Sequence, residues 1–230
     1  MPRAKLTDKE FYKLADIVIK ELNAVAIKRF KKLQRQVSML DIDELNVFKN
    51  TKATYNLLES DNIKAFVGLA GAVYYDISKK RKKKRKKDDD SFWEDWLLLH
   101  ILNKVDPVTQ YIYTNEVKRK QERTAEALIA TLSTKKPKGS TKRSEINKAL
   151  RYWSLQSTQY CDIITDAVSL EAYKDMGVEY VQWNTQEDER VCEKCAPLDK
   201  KVYRIDKVPP KQHYRCRCWL SSVDSNKSKS

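Results

Sequence analysis

Near its C-terminal end the chain reads Cys192-Glu-Lys-Cys195 and, seventeen residues later, His213-Tyr-Arg-Cys216-Arg-Cys218. Four of its five cysteines and one of its two histidines thus fall within twenty-seven residues. A thiolate pair two residues apart can grip one ion from a tight backbone turn. A second His/Cys pair, folded back across a loop, completes a tetrahedron. The pattern predicts a zinc site. Five candidates compete for four positions: Cys192 and Cys195 form one pair, and His213, Cys216 and Cys218 contend for the other two places. If residues 216–218 are extended, alternate side chains share a face and both cysteines reach one ion. A thioredoxin-type pair would open a helix after a strand within an α/β pattern, whereas here Pro197 follows almost at once. A closed, cysteine-rich set predicts a structural ion, since a catalytic zinc keeps one position open.

The rest of the chain predicts long helices. Only 4 glycines and 6 prolines occur in 230 residues, too few for an architecture that turns every 8–12 positions. Helical spacing of apolar residues predicts a helix over 7–36, with Thr7 and Glu10 as a capping box. A second is expected over 43–59 with Asp43 as N-cap, and a third from Asp61 to Ile77. Gly68 and Gly71 lie inside that third helix and predict close packing there. A short apolar helix carries Phe92, Trp93, Trp96 and His100. Another is expected over 107–132, with Pro107 in its first turn. Residues 133–143 read as a loop. A long helix then runs from about Ser144 to Asp175 and is stopped by Gly177. Three short strands are expected around 178–183, 201–205 and 217–223. The fold class is therefore mainly α: a long-helix body followed by a small zinc-knuckle β module. The expected division is a helical region 1–143, a domain 144–224 and a tail 225–230.

Charge narrows the partners. The formal charge is +14, which favours a polyanion such as nucleic acid. Lys79, Lys80, Arg81, Lys82, Lys83, Lys84, Arg85, Lys86 and Lys87 form an unbroken basic run, followed by Asp88, Asp89 and Asp90. Without these twelve residues the remainder is still basic. The run lacks interleaved aromatics, so on double-stranded DNA it would contact phosphates without reading sequence. Phe92, Trp93 and Trp96 are expected in the core and not on a base-stacking platform. The N-terminus has no apolar signal region, and no stretch approaches the ~20 apolar residues of a membrane span.

The C-terminal residues also resemble a known family. Trp183, then Asp188-Glu-Arg190-Val-Cys192-Glu-Lys-Cys195, then His213-Tyr-Arg-Cys216-Arg217-Cys218 resemble the Mu F-like minor head proteins of tailed phages. That family shows a tryptophan, an Asp-x-Arg-Val-Cys-x-x-Cys segment and a His-Pro-x-Cys-Arg-Cys segment. The resemblance covers about residues 144–224. Tyr214 stands where the family has proline, and Lys200 where a turn glycine is common. The resemblance implies a virion structural protein inside the phage head. Such a protein is expected to be a low-copy, portal-associated component, at most several copies per virion, that acts in head morphogenesis and in handling packaged DNA and is made in the bacterial host cytoplasm. Its implied partners are portal and capsid proteins. A zinc-ribbon nucleic-acid-binding regulatory protein is the alternative reading.

Asp188 and Arg190, just before the turn, can brace it by hydrogen bonds to backbone, and Arg217 can offset thiolate charge. Cys161 lies in an apolar helical stripe and is expected to be a buried, inert thiol. No Gly-x-Ser-x-Gly, phosphate-binding glycine loop or His-Glu-x-x-His occurs. The chain is read as a non-enzyme.

Overall fold

The computed structural model describes residues 11–39, 41–79, 90–133, 138–186, 191–213, 216 and 218–223. Among them the order is α1 (Phe11–Val37), α2 (Glu44–Ser78), α3 (Asp90–Leu97), a π-helical turn (Leu98–Leu102), α4 (Tyr113–Ala130) and α5 (Lys142–Asp175). Strands β1 (Tyr180–Asn184), β2 (Val202–Arg204) and β3 (Trp219–Val223) follow, with a 3-10 turn at Ala196–Leu198. The mainly helical class and the small C-terminal sheet match the sequence expectation. The expected cap at Thr7 and Glu10 lies outside the described residues.

The two helices expected over 43–59 and from Asp61 are one helix of 35 residues. Asp43 caps it, its Oδ1 accepting from the Asn46 amide at 2.6 Å. The polar stretch Ser60-Asp61-Asn62 resembles a break because such side chains often bond their own backbone. Here Asp61 and Asn62 face other helices. Arg29 of α1 donates to Asp61 at 3.0 Å. Asn62 is buried and donates to Tyr113 Oη at 3.1 Å and to Ser157 Oγ at 3.0 Å. Tertiary contacts have taken the groups that would otherwise have ended the helix. Farther along, a Cβ on Gly71 would touch the Trp93 ring at 3.6 Å, whereas Gly68 faces open space. The expected close packing therefore holds at Gly71 alone.

The helix expected from Pro107 begins six residues later. Asp106 and Pro107 open a turn instead: Asp106 Oδ1 accepts from the Val108 amide at 2.9 Å, Gln110 takes φ 62°, and Val105 bridges Ile112. The long helix α5 is bounded as expected. Thr141 and Ser144 bond each other's backbone in a capping box. At the other end Gly177 takes φ 74°, Val178 N bonds Tyr173 O and Gly177 N bonds Lys174 O. This is the double-bonded left-handed stop that glycine permits.

Helices α1, α2 and α5 enclose the core. Phe30, Tyr55 and Trp153, one from each helix, stack edge to face with centroids 5.9 and 5.6 Å apart. Each such side chain contributes about 1.5–3 kcal/mol by leaving water. Trp93 is buried as expected, and Trp96 lies partly exposed against it. The core crosses residue 143 freely, because α1 and α2 both pack on α5. The sheet has the order β2-β1-β3, all antiparallel, with Tyr180 opposite both Arg204 and Val223. Val181 of β1 reaches into the helical core, while Trp183 turns to a second small cluster with Cys195, Cys216, Cys218 and Leu220. No described helix is long and apolar enough to cross a membrane.

Candidate metal centre

The site is built where the chain leaves β1 and folds back twice. After Asn184 the Thr185 amide is held by Asp199 Oδ1 at 2.7 Å, which fixes the base of the loop. Cys192–Cys195 forms a tight turn: the Cys195 and Ala196 amides both donate to Cys192 O, at 3.0 and 2.9 Å. Pro197 continues it into the 3-10 turn. Lys200 then takes φ 60° while its amide donates to Trp183 O at 2.8 Å. The position where the resembling family often has glycine is thus a left-handed position, occupied here by lysine.

The five expected ligand residues come together. Ligand atoms of Cys192, Cys195 and His213 lie within 4.8 Å of one another, as do those of Cys195, Cys216 and Cys218. Cys195 belongs to both groups. Its Sγ is 3.4 Å from His213 Nε2 and 3.6 Å from Cys216 Sγ. A tetrahedral zinc with ~2.3 Å bonds to sulfur needs sulfur–sulfur separations of about 3.8 Å and slightly shorter sulfur–nitrogen ones. The observed spacings fit such an ion with little movement. Cys195, Cys216 and Cys218 are buried, while Cys192 and His213 are half-buried. The donor set is soft and sulfur-rich, which suits zinc.

The surroundings favour the thiolate of Cys216 over those of Cys195 and Cys218. The Cys216 thiol is lowered to about 4, first by the bond from Cys218 and then, against burial, by the Lys211 charge. Burial, the bond to Cys192 and the Cys216 charge push Cys195 up to about 12. The bond to Cys216, and then burial, push Cys218 up as well. Each cysteine that ligates a metal ion must be a thiolate, so metal binding releases protons from this cluster.

Sequence reasoning missed the charged groups beneath the cluster. Lys211 is buried, pairs with Asp166 Oδ2 at 3.2 Å and donates to Cys218 O. Asp166 also accepts from the hydroxyl of Tyr12 on α1. Asp162, one turn earlier on α5, is pushed up to about 7 by burial, against the pull of Lys211. One signal was available: Asp162 and Asp166, four residues apart, share one face of α5, roughly opposite the apolar stripe of Tyr160, Ile164 and Val168. Asp188, Arg190, Arg217 and 80–87 of the basic run lie outside the described residues. Lys79 is described: it caps the end of α2, with Nζ 5.6 Å from the Tyr75 ring centre. Cys161 is fully buried away from solvent, and burial pushes its thiol far up, as an inert thiol requires.

Residues 121–221 match the family model described as phage Mu protein F like protein. The match covers a little under half of the chain, from within α4 to β3, and contains every candidate metal ligand. No curated protein and no solved structure matches the chain. Residues 121–221 of the chain are thus similar to the phage Mu F-like family.

Proposed function

We propose that the protein is a minor head protein of a tailed phage, lying inside the head near the portal, with one structural zinc ion. The observation that carries this reading is the convergence of Cys192, Cys195, His213, Cys216 and Cys218 within the family-matched segment. Cys192, Cys195 and two of the other three hold the ion. Zinc supplies a cross-link between two loops that the small sheet cannot fix by apolar burial alone. Asp188, Arg190 and Arg217 brace those loops. The role is architectural: the ligand set is closed and sulfur-rich, and the helical body provides the mass of the protein.

Portal and capsid proteins are the partners, and packaged double-stranded DNA is the neighbour. The net charge of +14 and the basic run 79–87 support sequence-independent phosphate binding. Elemental analysis combined with a pull-down tests the reading. The purified protein should carry about one zinc per chain and retain the portal protein from an infected-cell extract after nuclease treatment. A protein without zinc would refute the metal reading. Loss of the portal protein on nuclease treatment would replace a protein contact with a DNA bridge.

A further inference from the structure

We propose that Lys211, clamped between Asp166 and the carbonyl of Cys218, is the built-in counter-cation of the metal cluster, and that Tyr12 ties this clamp to α1, so that metal binding and the seating of α1 on α5 are one coupled event. The inference rests on the metal reading above.

The side chain of Lys211 is only 4% exposed. A lone ammonium at such a depth is strongly disfavoured, so its surroundings must compensate it. Four groups box it in. Asp166 Oδ2 lies 3.2 Å away, Cys218 O accepts a hydrogen bond, and the ring centres of Tyr12 and Trp183 lie 5.1 and 6.0 Å from Nζ. The carbonyl belongs to a candidate ligand, so moving the ammonium moves Cys218. The aromatic faces add cation–π attraction.

The sign of the electrostatic effect does not depend on which four ligands bind. Three thiolates and an imidazole leave the ligated dication with one negative charge, and four thiolates leave it with two. A fixed cation beside the cluster favours either set. Asp166 orients that cation and shares its own charge between Lys211 and the Tyr12 hydroxyl. The same hydroxyl accepts from the Leu220 amide at 3.3 Å. One chain of bonded groups therefore runs from α1 through α5 to β3 and the ligands. Its first member, Tyr12, lies outside the family-matched segment and far from the Cys/His motif.

The test is zinc competition against a chromogenic chelator, with full-length wild type, Lys211→Met and Tyr12→Phe, joined to amide hydrogen exchange with and without chelation. Lys211→Met should weaken zinc binding about ten- to a hundredfold. Tyr12→Phe, which removes one oxygen and keeps the ring, should weaken it in the same direction by less. Chelation of the wild type should speed exchange around Tyr12 while the middle of α2 stays protected. A wild type that holds zinc, beside a Tyr12→Phe variant of unchanged affinity and an α1 indifferent to chelation, overturns the inference and leaves the metal reading standing. A wild type that holds no zinc overturns both. If Lys211→Met fails to fold, Tyr12→Phe and the exchange pattern decide the matter.

Discussion

Asn62 on α2 donates its side-chain amide to Ser157 Oγ on α5 at 3.0 Å, across 95 residues of sequence. The same nitrogen serves Tyr113 Oη on α4 at 3.1 Å. One buried amide thus joins three helices. Removing it leaves two buried hydroxyls short of a partner. Asn62→Ala is expected to cost about 2–4 kcal/mol, most of it the desolvation of those orphaned groups. Urea unfolding measures the loss; a change below about 1 kcal/mol would mean that water replaces the amide without penalty.

Lys200 occupies a left-handed conformation, φ 60°, at the turn after the 3-10 segment. A side chain there costs about 1–2 kcal/mol, which glycine avoids at the expense of greater freedom in the unfolded chain. Lys200→Gly should therefore stabilise the zinc-loaded protein by roughly 0.5–1 kcal/mol. A lower thermal midpoint for the glycine variant would show that interactions of the lysine side chain outweigh the backbone strain.

Much of the architecture was legible because its signals are local. The helix α5 starts close to Ser144, Gly177 stops it, and the Cys/His spacing places all five candidate ligands together. The errors have a common origin. Ser60, Asp61 and Asn62 look like a helix break in one dimension, and only the positions of Arg29, Tyr113 and Ser157 show where their hydrogen bonds go. Asp106 followed by Pro107 reads equally as a helix start and as a turn, and the bridge between Val105 and Ile112 decided for the turn. The pairing of charges beneath the metal cluster, unlike the acidic face of α5 itself, was invisible for the same reason. Tyr12, Asp166 and Lys211 are far apart in sequence, and nothing in their local patterns names a partner.

Cys195 and Cys161 are both buried thiols, yet they should respond differently to the same substitution. Cys195 belongs to both triplets of ligand atoms, whereas Cys161 belongs to neither. Cys195→Ser is expected to abolish zinc binding and to loosen the segment 191–223. Cys161→Ser should retain the full metal content and lose stability by about 1–3 kcal/mol through burial of a hydroxyl. Metal content and thermal melts of the two variants, side by side, check this. Equal zinc loss in both would mean that the cluster is sensitive to general packing and not to its own ligands.

Glu59 on α2 is half-buried, and burial raises its carboxyl above the ordinary value of 4.5. The folded protein therefore holds this proton more tightly than the unfolded chain. Its contribution to stability is complete below the unfolded value and is lost as pH rises through the folded one. Glu59→Gln should gain on wild type across this window, from about pH 4 upward. Urea midpoints measured at a series of pH values test the sign. Parallel curves for the two proteins would remove Glu59 from the account.

The proposed DNA binding by the basic run is testable through salt. Replacing three or four of Lys79–Lys87 by glutamine should lower the slope of log affinity against log salt by about 0.9 for each phosphate no longer neutralised. The affinity should fall equally for unrelated duplex sequences. An unchanged slope would place the DNA on another surface.

The hydrogen bond between the Leu220 amide and the Tyr12 hydroxyl spans 208 residues. At ribosomal rates of about 5–20 residues per second, roughly ten to forty seconds separate the synthesis of its two ends. Throughout that interval α1 has left the ribosome without the strand that completes its seat. Of its partners, Asp166 arrives before Lys211 and β3. The helix α1 is therefore fully secured only after β3 has been made, and until then its inner face lacks the strand that completes its seat.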